Sequence, residues 1–395
     1  MAVSKDKKKI EHLLERGVEN VYPSKGFLES LLKKGKQISL YLGIDPTGPD
    51  LHIGHSIQLR KLREFQDLGH KVILLIGDFT AMIGDPTDKS AARVRQTRDE
   101  VLSNAAKYKE QASKILNFDG DNPVEVKYNS EWLGIMSFAD VVELSSHFTV
   151  QQMLERDMFD NRMKEGKPIY MHEFMYPLMQ GHDSVAMDID GELGGNDQMF
   201  NMLAGRTLMK ATSGKEKFVI TNKLIEDPTG KKMGKSEGNM ITLSDSSDEM
   251  FGKIMSWTDG MIVGGFELLT DSDVSEIEDA LKGGMNPREV KARLASEVVA
   301  FYFDEDEGAA ASDRFDQLFQ KKEVPDDVAE VSIKGSMNII DVLVETELAK
   351  SKSEARRLID GKGVKVNEVA VENYDHEVLK GALIQKGKRH FVRVK

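Results

Sequence analysis

The stretch that decides the fold of this chain runs from Ile38 to His55 and reads ISLYLGIDPTGPDLHIGH. Ile38 to Ile44 is a run typical of a buried strand. The two prolines and the glycine of Asp45 to Pro49 cannot extend that strand, so a turn is predicted there. Apolar residues then recur at helical spacing, and Lys71 to Ile76 supplies another buried strand. The pattern predicts an α/β fold, a doubly wound (Rossmann-like) parallel sheet that holds a nucleotide at the carboxyl end of its first strand.

Composition indicates an ordinary soluble globular protein. The chain has 395 residues, 40% of them hydrophobic and 30% charged, which is long enough for two or three domains. Its apolar runs, such as Val72 to Ile76, are far shorter than the ~20 residues that cross a membrane. The lysine-rich start, Met1 to Lys9, leads into no apolar signal core. We therefore expect a cytoplasmic protein with no membrane partner.

Cysteine is absent, which excludes disulfides, thiolate metal sites and thiol nucleophiles. We expect no metal held by the protein itself. The formal net charge of −12 argues against a protein that coats nucleic acid indiscriminately, although a local basic surface stays compatible with it. From Met337 onward there are 12 Lys and Arg against 9 Asp and Glu, so such a surface is expected near the C-terminus.

Four parts are predicted along the chain from the spacing of apolar residues, glycines and prolines. These are a catalytic domain at 1–228 with a segment inserted at about 117–176, an all-helical domain with a lysine-rich loop at 229–322, a linker at 323–336, and a small α+β module at 337–395.

The sequence His52-Ile53-Gly54-His55 follows the predicted strand and turn. Two histidines three residues apart at the start of a helix project on one side. As metal ligands they would make a poor site, because no thiolate or carboxylate accompanies them. Gly54 has no side chain, so an adenine ring can approach the backbone there while the imidazoles and the helix-end amides face phosphates. We therefore interpret this motif as one side of an ATP site.

A second basic motif runs from Gly230 to Ser236. A phosphate-binding P-loop needs four residues between its glycines, and here there are three, so that interpretation is rejected. Three lysines among glycines still form a cationic loop suited to a pentavalent α-phosphate and a departing pyrophosphate. The alternative is an exposed basic loop without a role.

Further polar residues suggest a substrate pocket. Tyr176, Gln180 and Asp183 are spaced to share one helix face, and a core would not hold such a stripe unpaired. Gly194 to Gln198 offers bare backbone beside a carboxylate and an amide, which suits a ribose, although a plain turn uses the same residues. Asp85 stands before a proline, so helix capping and ligand binding are both open for it.

The last module contains a predicted helix that starts after a serine cap and carries Lys352, Arg356 and Arg357. Basic residues on a small α/β module commonly contact RNA phosphates. A solvated helix face is the alternative interpretation.

Taken in order, these motifs resemble bacterial tyrosyl-tRNA synthetases, which are class I enzymes, over essentially the whole chain. Tyr41 to His55 is similar to that family's opening signature, Lys232 to Ser236 to its second signature, and the end of the chain to an S4 RNA-binding domain. The resemblance implies two steps: ATP activates L-tyrosine to tyrosyl-adenylate, and the tyrosyl group is transferred to the 3′-terminal adenosine of tRNA(Tyr). It also implies Mg²⁺ carried by ATP, a tRNA-binding role for the helical domain, and a homodimer formed through the inserted segment.

The resemblance assigns expected roles residue by residue. Those expected to act in catalysis, on the polyphosphate, are Thr47, His52, His55, Lys232, Lys235, Lys89 and Arg93. The tyrosine pocket is expected to contain Tyr41, Asp85, Tyr176, Gln180, Asp183 and Gln198, with Tyr41 and Asp183 on the phenol. ATP is expected to contact Gly43, Asp45, Gly54, Gly195, Asp197, Met233 and Ser236. The tRNA is expected to contact Lys352, Arg356 and Arg357.

Three residues depart from the family's usual pattern: His182 stands where tyrosine is usual, Gly234 where serine is usual, and Asp88 where glycine is common. None of them removes a residue with a primary role. Two alternatives remain. A tryptophanyl-tRNA synthetase shares the signatures but lacks the pair Tyr41 and Asp183. A non-catalytic RNA-binding paralogue would have no physical reason to keep both histidines and both lysines.

Overall fold

The computed structural model describes residues 2–85, 96–227, 229, 240–317, 329–331, 336–367, 369–387 and 390–395. The chain forms two compact units, Met1–Glu305 and Asp306–Lys395. The four-part division predicted above is finer than these two units and stays a prediction. Several predicted site residues lie outside the described residues: Lys89, Arg93, Lys232, Met233, Lys235 and Ser236, together with the departures Asp88 and Gly234.

The strands of the first unit are β1 (Val18–Tyr22), β2 (Ser39–Ile44), β3 (Lys71–Ile76), β4 (Glu125–Tyr128), β5 (Gly191–Gly195) and β6 (Phe218–Asn222). Its helices up to β4 are α1 (Lys7–Glu15), α2 (Lys25–Lys34), α3 (Ile53–Asp67), α4 (Thr80–Ile83), α5 (Arg98–Ala105) and α6 (Tyr108–Ala112). Between β4 and β5 lie α7 (Ser130–Leu133), α8 (Phe138–Ser145), α9 (Val150–Leu154), α10 (Asp157–Lys164) and α11 (Met171–Met187). After β5 come α12 (Met199–Ser213), α13 (Ser247–Met255), α14 (Ile262–Leu269), α15 (Val274–Lys282) and α16 (Pro287–Tyr302).

Within the described residues these strands form one sheet in the order β1-β6-β5-β2-β3-β4. Neighbours from β6 to β4 are parallel, and β1 pairs antiparallel with β6. Strand β2 pairs with β3 along its whole length, which confirms the predicted strand–helix–strand unit. Since β3 and β5 lie on opposite sides of β2, the order reverses between β2 and β5. Ligands of open α/β sheets bind at such a reversal, beside the carboxyl ends of the strands.

Helices α11 and α12 pack closely against each other because both carry a glycine at their contact. A Cβ on Gly181 would lie 3.1 Å from the backbone nitrogen of Gly205. Helix α11 carries the predicted pocket residues Tyr176, Gln180 and Asp183. The close contact with α12 holds α11, and with it these predicted pocket residues, in place.

The second unit has its own hydrophobic core. Helix α17 (Glu305–Asp316) spans the division; the later elements are β7 (Ala329–Val331), β8 (Ser336–Asn338), α18 (Ile339–Glu345), α19 (Lys352–Asp360), β9 (Val364–Val366), β10 (Val369–Ala370), β11 (Glu377–Leu379), β12 (Leu383–Lys386) and β13 (His390–Val394). Strands pair in the order β10-β9-β12-β13-β7, with β11 and β8 as a separate pair. The core includes Leu343, Ile359, Ile384 and Val394. Helix α19 begins after its Ser351 cap, as the sequence predicts.

Throughout the ranges given above, every helix is too short or too polar to cross a membrane.

Candidate active site

The candidate active site lies where the sheet order reverses, at the carboxyl ends of β2 and β5. Tyr41 and Gly43 come from β2, and α11 supplies three more of the predicted residues. Tyr41 is fully buried, while Gly43, two residues later on the same face of the strand, is exposed. The predicted tyrosine site therefore extends from the interior of the sheet to its surface.

The predicted phenol-binding pair is buried among polar partners. The Tyr41 hydroxyl lies 3.1 Å from Ser184 Oγ. The Asp183 carboxylate accepts hydrogen bonds from Trp132 Nε1 at 2.7 Å and from Asn129 Nδ2 at 3.3 Å. Burial raises the pKa of Asp183 well above its ordinary value, and the two donors oppose that shift. These donors stabilise the ionised carboxylate, the form that accepts a hydrogen bond from a phenol.

Asp45, predicted to contact ATP, lies in a network with the tyrosine pocket. Its carboxylate accepts from the Tyr176 hydroxyl and from Thr80 Oγ1, both at 2.7 Å. Thr80 Oγ1 accepts in turn from Asn129 at 3.0 Å. A Cβ on Gly77 would lie 2.0 Å from the Asp45 carboxylate, so only glycine fits there. The network joins Tyr176 to Asp183 through three intermediate side chains.

Gln180 is held by a buried ion pair. Its Nε2 donates to Glu192 Oε1 at 3.0 Å. The other carboxylate oxygen of Glu192 pairs with Lys217 Nζ, and both of these side chains are almost entirely buried. Burial lowers the pKa of Lys217, and the charge of Glu192 opposes that change. Because Gln180 Nε2 is hydrogen-bonded to Glu192, the amide oxygen of Gln180 is the atom that can accept a hydrogen bond from a ligand.

Asp85 lies among polar side chains. Its carboxylate accepts from Gln198 Nε2 at 2.8 Å and lies 3.8 Å from the guanidinium of the buried Arg156. Gln198 Oε1 accepts from Asn201 Nδ2 at 2.9 Å. Two predicted pocket residues, Asp85 and Gln198, are thus in direct contact although 113 positions separate them.

The two histidines cap α3. His52 Nδ1 accepts from the backbone of Gly54 at 3.1 Å, and His55 Nδ1 accepts from the backbone of His52 at 3.1 Å. Their rings stack with centroids 3.8 Å apart. A Cβ on Gly54 would lie 2.9 Å from the His52 ring. The cap therefore requires glycine at position 54. This requirement is independent of the predicted approach of adenine to the backbone there.

The remaining predicted ATP contacts in the described residues range from exposed Thr47 to buried Gly195. Thr47 is exposed in the turn after β2. A Cβ on Gly195 would lie 2.5 Å from the Asp197 carboxylate and 3.3 Å from Gln58 Nε2 on α3. Bare backbone at Gly195 therefore lets the end of β5 meet α3, the helix that His52 begins.

Comparisons with known proteins agree with this geometry. A family model described as "tRNA synthetases class I (W and Y)" matches residues 33–320, and one described as "Tyrosine--tRNA ligase SYY-like C-terminal domain" matches residues 316–394. The chain is 45% identical over 389 residues to the tyrosine--tRNA ligase of Thermotoga maritima, covering 97% of this chain and 96% of that protein. It is 42% identical to the Haemophilus influenzae enzyme of the same name, over 97% of this chain and 96% of that protein.

The chain belongs to the tyrosine--tRNA ligase family. The predicted family and its ligase function are thereby confirmed. Because the first family model covers both tryptophan and tyrosine enzymes, the match at the C-terminus and the full-length relatives distinguish the two.

Solved structures confirm the predicted fold class. A C-terminally truncated mitochondrial tyrosyl-tRNA synthetase of Aspergillus nidulans superposes with a TM-score of 0.66 at 24% identity, over 80% of this chain and 95% of that chain. The tyrosyl-tRNA synthetase of Aeropyrum pernix gives a TM-score of 0.60 at 20% identity, over 80% of this chain and all of that one. At such identities the likeness concerns the fold alone.

The second unit presents the predicted tRNA contacts of this synthetase family on α19. Arg356 and Arg357 are exposed, and Lys352 pairs with Asp341 at 2.6 Å. Among the residues whose positions are described, no three His, Asp or Glu side chains gather as metal ligands.

Several residues of the candidate site were missed from the sequence. Asn129 follows the end of β4, so its place at the ligand-binding edge of the sheet offered a signal. Lys217 offered none, because a lysine beside other charged residues suggests an exposed position. Also missed were Thr80, Trp132, Arg156, Ser184 and Glu192.

His182, the departure beside Asp183, is half-buried on α11. Burial lowers its pKa, and the charge of Asp140 opposes that shift. A neutral imidazole is therefore favoured beside the pocket aspartate, so this departure adds no positive charge there at neutral pH.

Proposed function

We propose that the protein activates L-tyrosine with ATP at the carboxyl ends of β2 and β5, and then transfers the tyrosyl group to the 3′-terminal adenosine of tRNA(Tyr). The observation that carries this proposal is the buried pair Tyr41 and Asp183, with Asp183 held by Trp132 and Asn129. Such a pair, deep in a sheet whose edge binds nucleotides, suits an amino acid with a phenol.

Tyr41 and Asp183 bind the phenol of the substrate. The Asp183 carboxylate accepts a hydrogen bond from the phenol hydroxyl, while the Tyr41 hydroxyl donates one to the phenol oxygen. Phenylalanine would leave both groups buried without a partner, which in such sites disfavours the wrong substrate by ~10⁴–10⁵-fold. Discrimination of this size requires no second, hydrolytic site.

The amino group of tyrosine is bound by Tyr176, Gln180 and Asp85. Each offers an oxygen to an ammonium group, and each is fixed from behind: Tyr176 by Asp45, Gln180 by Glu192 and Asp85 by Gln198. Their orientation therefore precedes substrate binding. Pre-oriented acceptors leave the tyrosine carboxylate directed outward, toward the ATP end of the site.

The carboxylate of tyrosine attacks the α-phosphate of ATP and pyrophosphate leaves, so no covalent nucleophile is needed. The amino end of α3 carries positive partial charge and favours an anion nearby. We assign the polyphosphate to the predicted set Thr47, His52, His55, Lys89, Arg93, Lys232 and Lys235. We assign adenosine to Gly43, Asp45, Gly54, Gly195, Asp197, Met233 and Ser236. Mg²⁺ arrives with ATP, since it usually binds through substrate phosphates.

The second unit binds tRNA through Lys352, Arg356 and Arg357. The two arginines are exposed on α19, where phosphates could reach them. Deleting Met337–Lys395 is expected to abolish tRNA charging while tyrosine-dependent pyrophosphate exchange stays within about two-fold of the intact protein. If the shortened protein still charges tRNA normally, the RNA-binding assignment is wrong.

A homodimer forms through the inserted segment. Large apolar side chains exposed on this segment include Ile135 at 82%, Phe138 at 83%, Val142 at 54% and Val150 at 63%. Phe138 and Val142 are one helical turn apart on α8, so they form one apolar surface. A Phe138→Asp variant is expected to elute as a monomer in size-exclusion chromatography with light scattering, and dimers of that variant would refute this assignment. A cytoplasmic location remains part of the proposal.

The experiment that tests the proposed function is ATP–pyrophosphate exchange by the purified protein with each of the twenty amino acids. Exchange with tyrosine alone supports the proposal. Exchange with tryptophan would mean that the pocket is a tryptophanyl-tRNA synthetase site. Exchange with none would favour the non-catalytic RNA-binding paralogue.

A further inference from the structure

Lys217 places a buried ammonium group behind the tyrosine pocket. It lies directly before β6, and its side chain is fully buried. Its Nζ donates to Ser184 Oγ at 2.7 Å and to the backbone oxygen of Met202 at 3.2 Å, and it pairs with Glu192. An ammonium group has three protons, and these three partners use all of them.

Two of these partners lead to residues assigned to tyrosine. Ser184 Oγ lies 3.1 Å from the Tyr41 hydroxyl, which is assigned to the phenol. Glu192 Oε1 accepts from Gln180 Nε2 at 3.0 Å, and Gln180 is assigned to the amino group. One buried charge is therefore separated by a single residue from Tyr41 and by a single residue from Gln180, the residues assigned to the two ends of the substrate.

The surroundings are shaped to admit this charge. A Cβ on Gly205 of α12 would lie 2.5 Å from Lys217 Nζ and 2.9 Å from Ser184 Oγ, so a side chain there would displace the ammonium. The Tyr41 ring centroid is 5.8 Å from Nζ, within range of a cation–π attraction. The lysine contacts the pocket from behind and is separated from the substrate by Tyr41, Ser184 and Gln180.

We propose that Lys217 is a positioning residue that sets the amino-acid specificity of this synthetase, by holding Ser184 behind Tyr41 and Glu192 behind Gln180. The proposal rests on the roles proposed above for Tyr41 and Gln180. Ser184 Oγ accepts from the ammonium, which leaves the serine proton for the Tyr41 oxygen. The Tyr41 hydroxyl makes a long hydrogen bond to the Gln180 backbone oxygen at 3.5 Å, and in the proposal its proton turns to the substrate phenol instead. Glu192, fixed by the charge of Lys217, accepts the Gln180 amide and keeps its oxygen directed at the substrate.

The competing explanation is that Lys217 and Glu192 only form a structural ion pair. Removing one partner of a buried pair destabilises a protein whatever the pair does, because the other charge is left unpaired. Stability alone therefore does not separate the two explanations. The amino-acid readouts separate them: KM for tyrosine compared with KM for ATP, and the preference for tyrosine over phenylalanine.

The experiment compares Lys217→Met with a matched variant, Lys61→Met, in pyrophosphate exchange and thermal unfolding. Lys61 is also a buried lysine, with Leu13 O and Glu64 as partners at 3.0 Å, but it lies on the far part of α3. Lys217→Met is expected to raise KM for tyrosine at least ten-fold and to lower the tyrosine preference at least ten-fold, with KM for ATP within two-fold. Lys61→Met is expected to lower Tm alone.

A double variant, Lys217→Met with Glu192→Gln, covers the case in which the single variant does not fold. It leaves no buried charge unpaired and keeps an oxygen for Gln180, so KM for tyrosine is expected within about three-fold of the parent protein. Ser184 still lacks its donor, so the tyrosine preference is expected to stay at least ten-fold lower. A parental preference in the double variant would overturn the proposal.

The single variant can overturn it as well: a lowered Tm with unchanged tyrosine KM and preference would leave Lys217 a structural role only. A failure of the proposed function looks different, because the parent protein itself would then show no tyrosine-dependent exchange.

Discussion

The two ends of the candidate site are built in opposite ways. The tyrosine end consists of buried side chains, with Tyr41 and Asp183 at most 2% exposed and held by neighbours from other elements. The described part of the ATP end consists of a helix terminus, exposed Gly43 and Thr47, and close-packed glycine backbone. The proposed tyrosine end is thus part of the protein core, whereas the proposed ATP end reaches the surface at Gly43 and Thr47.

This difference shows how one fold separates selection of the amino acid from stabilisation of the transition state. A buried polar group left without its partner costs about 1–3 kcal/mol, so a core pocket converts one missing hydroxyl into a large penalty. Charge that forms only in the transition state is better met by groups that lie beside the phosphates. Substitutions at the two ends should therefore affect different kinetic constants.

The largest effect is expected at the ATP end, from Lys235→Ala. Lys235 is assigned to charge that develops on the phosphates, so the exchange rate should fall by about 10²–10³-fold while tyrosine KM stays within three-fold. Steady-state exchange at varied tyrosine measures both quantities. Equal losses in rate and in tyrosine affinity would break the comparison between the two ends.

Asp183→Asn tests the tyrosine end. It weakens the acceptor for the phenol and places an amide opposite Asn129 and Trp132, so the preference for tyrosine over phenylalanine should fall by about 100-fold with little change in ATP KM. Asp188→Asn is the matched control, because Asp188 follows the same helix, α11, and is 78% exposed. A preserved preference in Asp183→Asn would remove Asp183 from phenol recognition.

Acid is expected to destabilise the folded protein through a buried histidine of the first unit. His70 is buried behind β2, where its Nδ1 accepts from the backbone of Ile38 at 3.4 Å, and burial lowers its pKa to about 4. Between pH 6.5 and 4 the unfolded chain binds a proton that the folded protein does not. The free energy of unfolding should therefore fall by about 3 kcal/mol over that range.

Denaturant unfolding of the parent protein and of His70→Asn, which cannot take up this proton, measures that loss. The variant is expected to lose about 3 kcal/mol less than the parent on acidification, while a variant at the exposed His376 follows the parent. Parallel pH profiles for His70→Asn and the parent would show that another group controls the response.

The smallest and sharpest contrast comes from one substitution at two threonines. Thr80→Ala removes a donor from the half-buried Asp45 and an acceptor from the buried Asn129. The free energy of unfolding should therefore fall by about 1–3 kcal/mol, and tyrosine KM should rise a few-fold. Thr47→Ala, at an exposed turn, should leave stability within about 0.5 kcal/mol and slow exchange by less than ten-fold. If Thr47→Ala lowered stability and Thr80→Ala did not, the contrast drawn between the two ends would be wrong.

The strands and helices of the site could be predicted because the spacing of apolar residues, and the glycines and prolines of turns, specify them locally. The strand Lys71–Ile76 is found with the predicted bounds, and the strand predicted from Ile38 to Ile44 begins one residue later. The shared face of Tyr176, Gln180 and Asp183 follows from helix geometry alone. Local order is thus accessible from the sequence.

Partners across the sheet could not be predicted in the same way. The contact between Asp85 and Gln198 depends on which strands are neighbours, and that order is set by long-range packing. Lys217 is the strongest case: its burial requires Glu192 in front and the missing side chain of Gly205 behind. No local pattern encodes both conditions.

Trp132, which donates to Asp183, gives the protein an optical signal of its own. The chain has two tryptophans, and the other, Trp257, is 5% exposed in the helical part of the first unit. When a phenol donates a hydrogen bond to Asp183, the charge next to the Trp132 indole is redistributed. The fluorescence emission of Trp132 should therefore shift, while Trp257 serves as an internal reference. Occupancy of the amino-acid pocket could then be followed by fluorescence, without a label and before ATP is added.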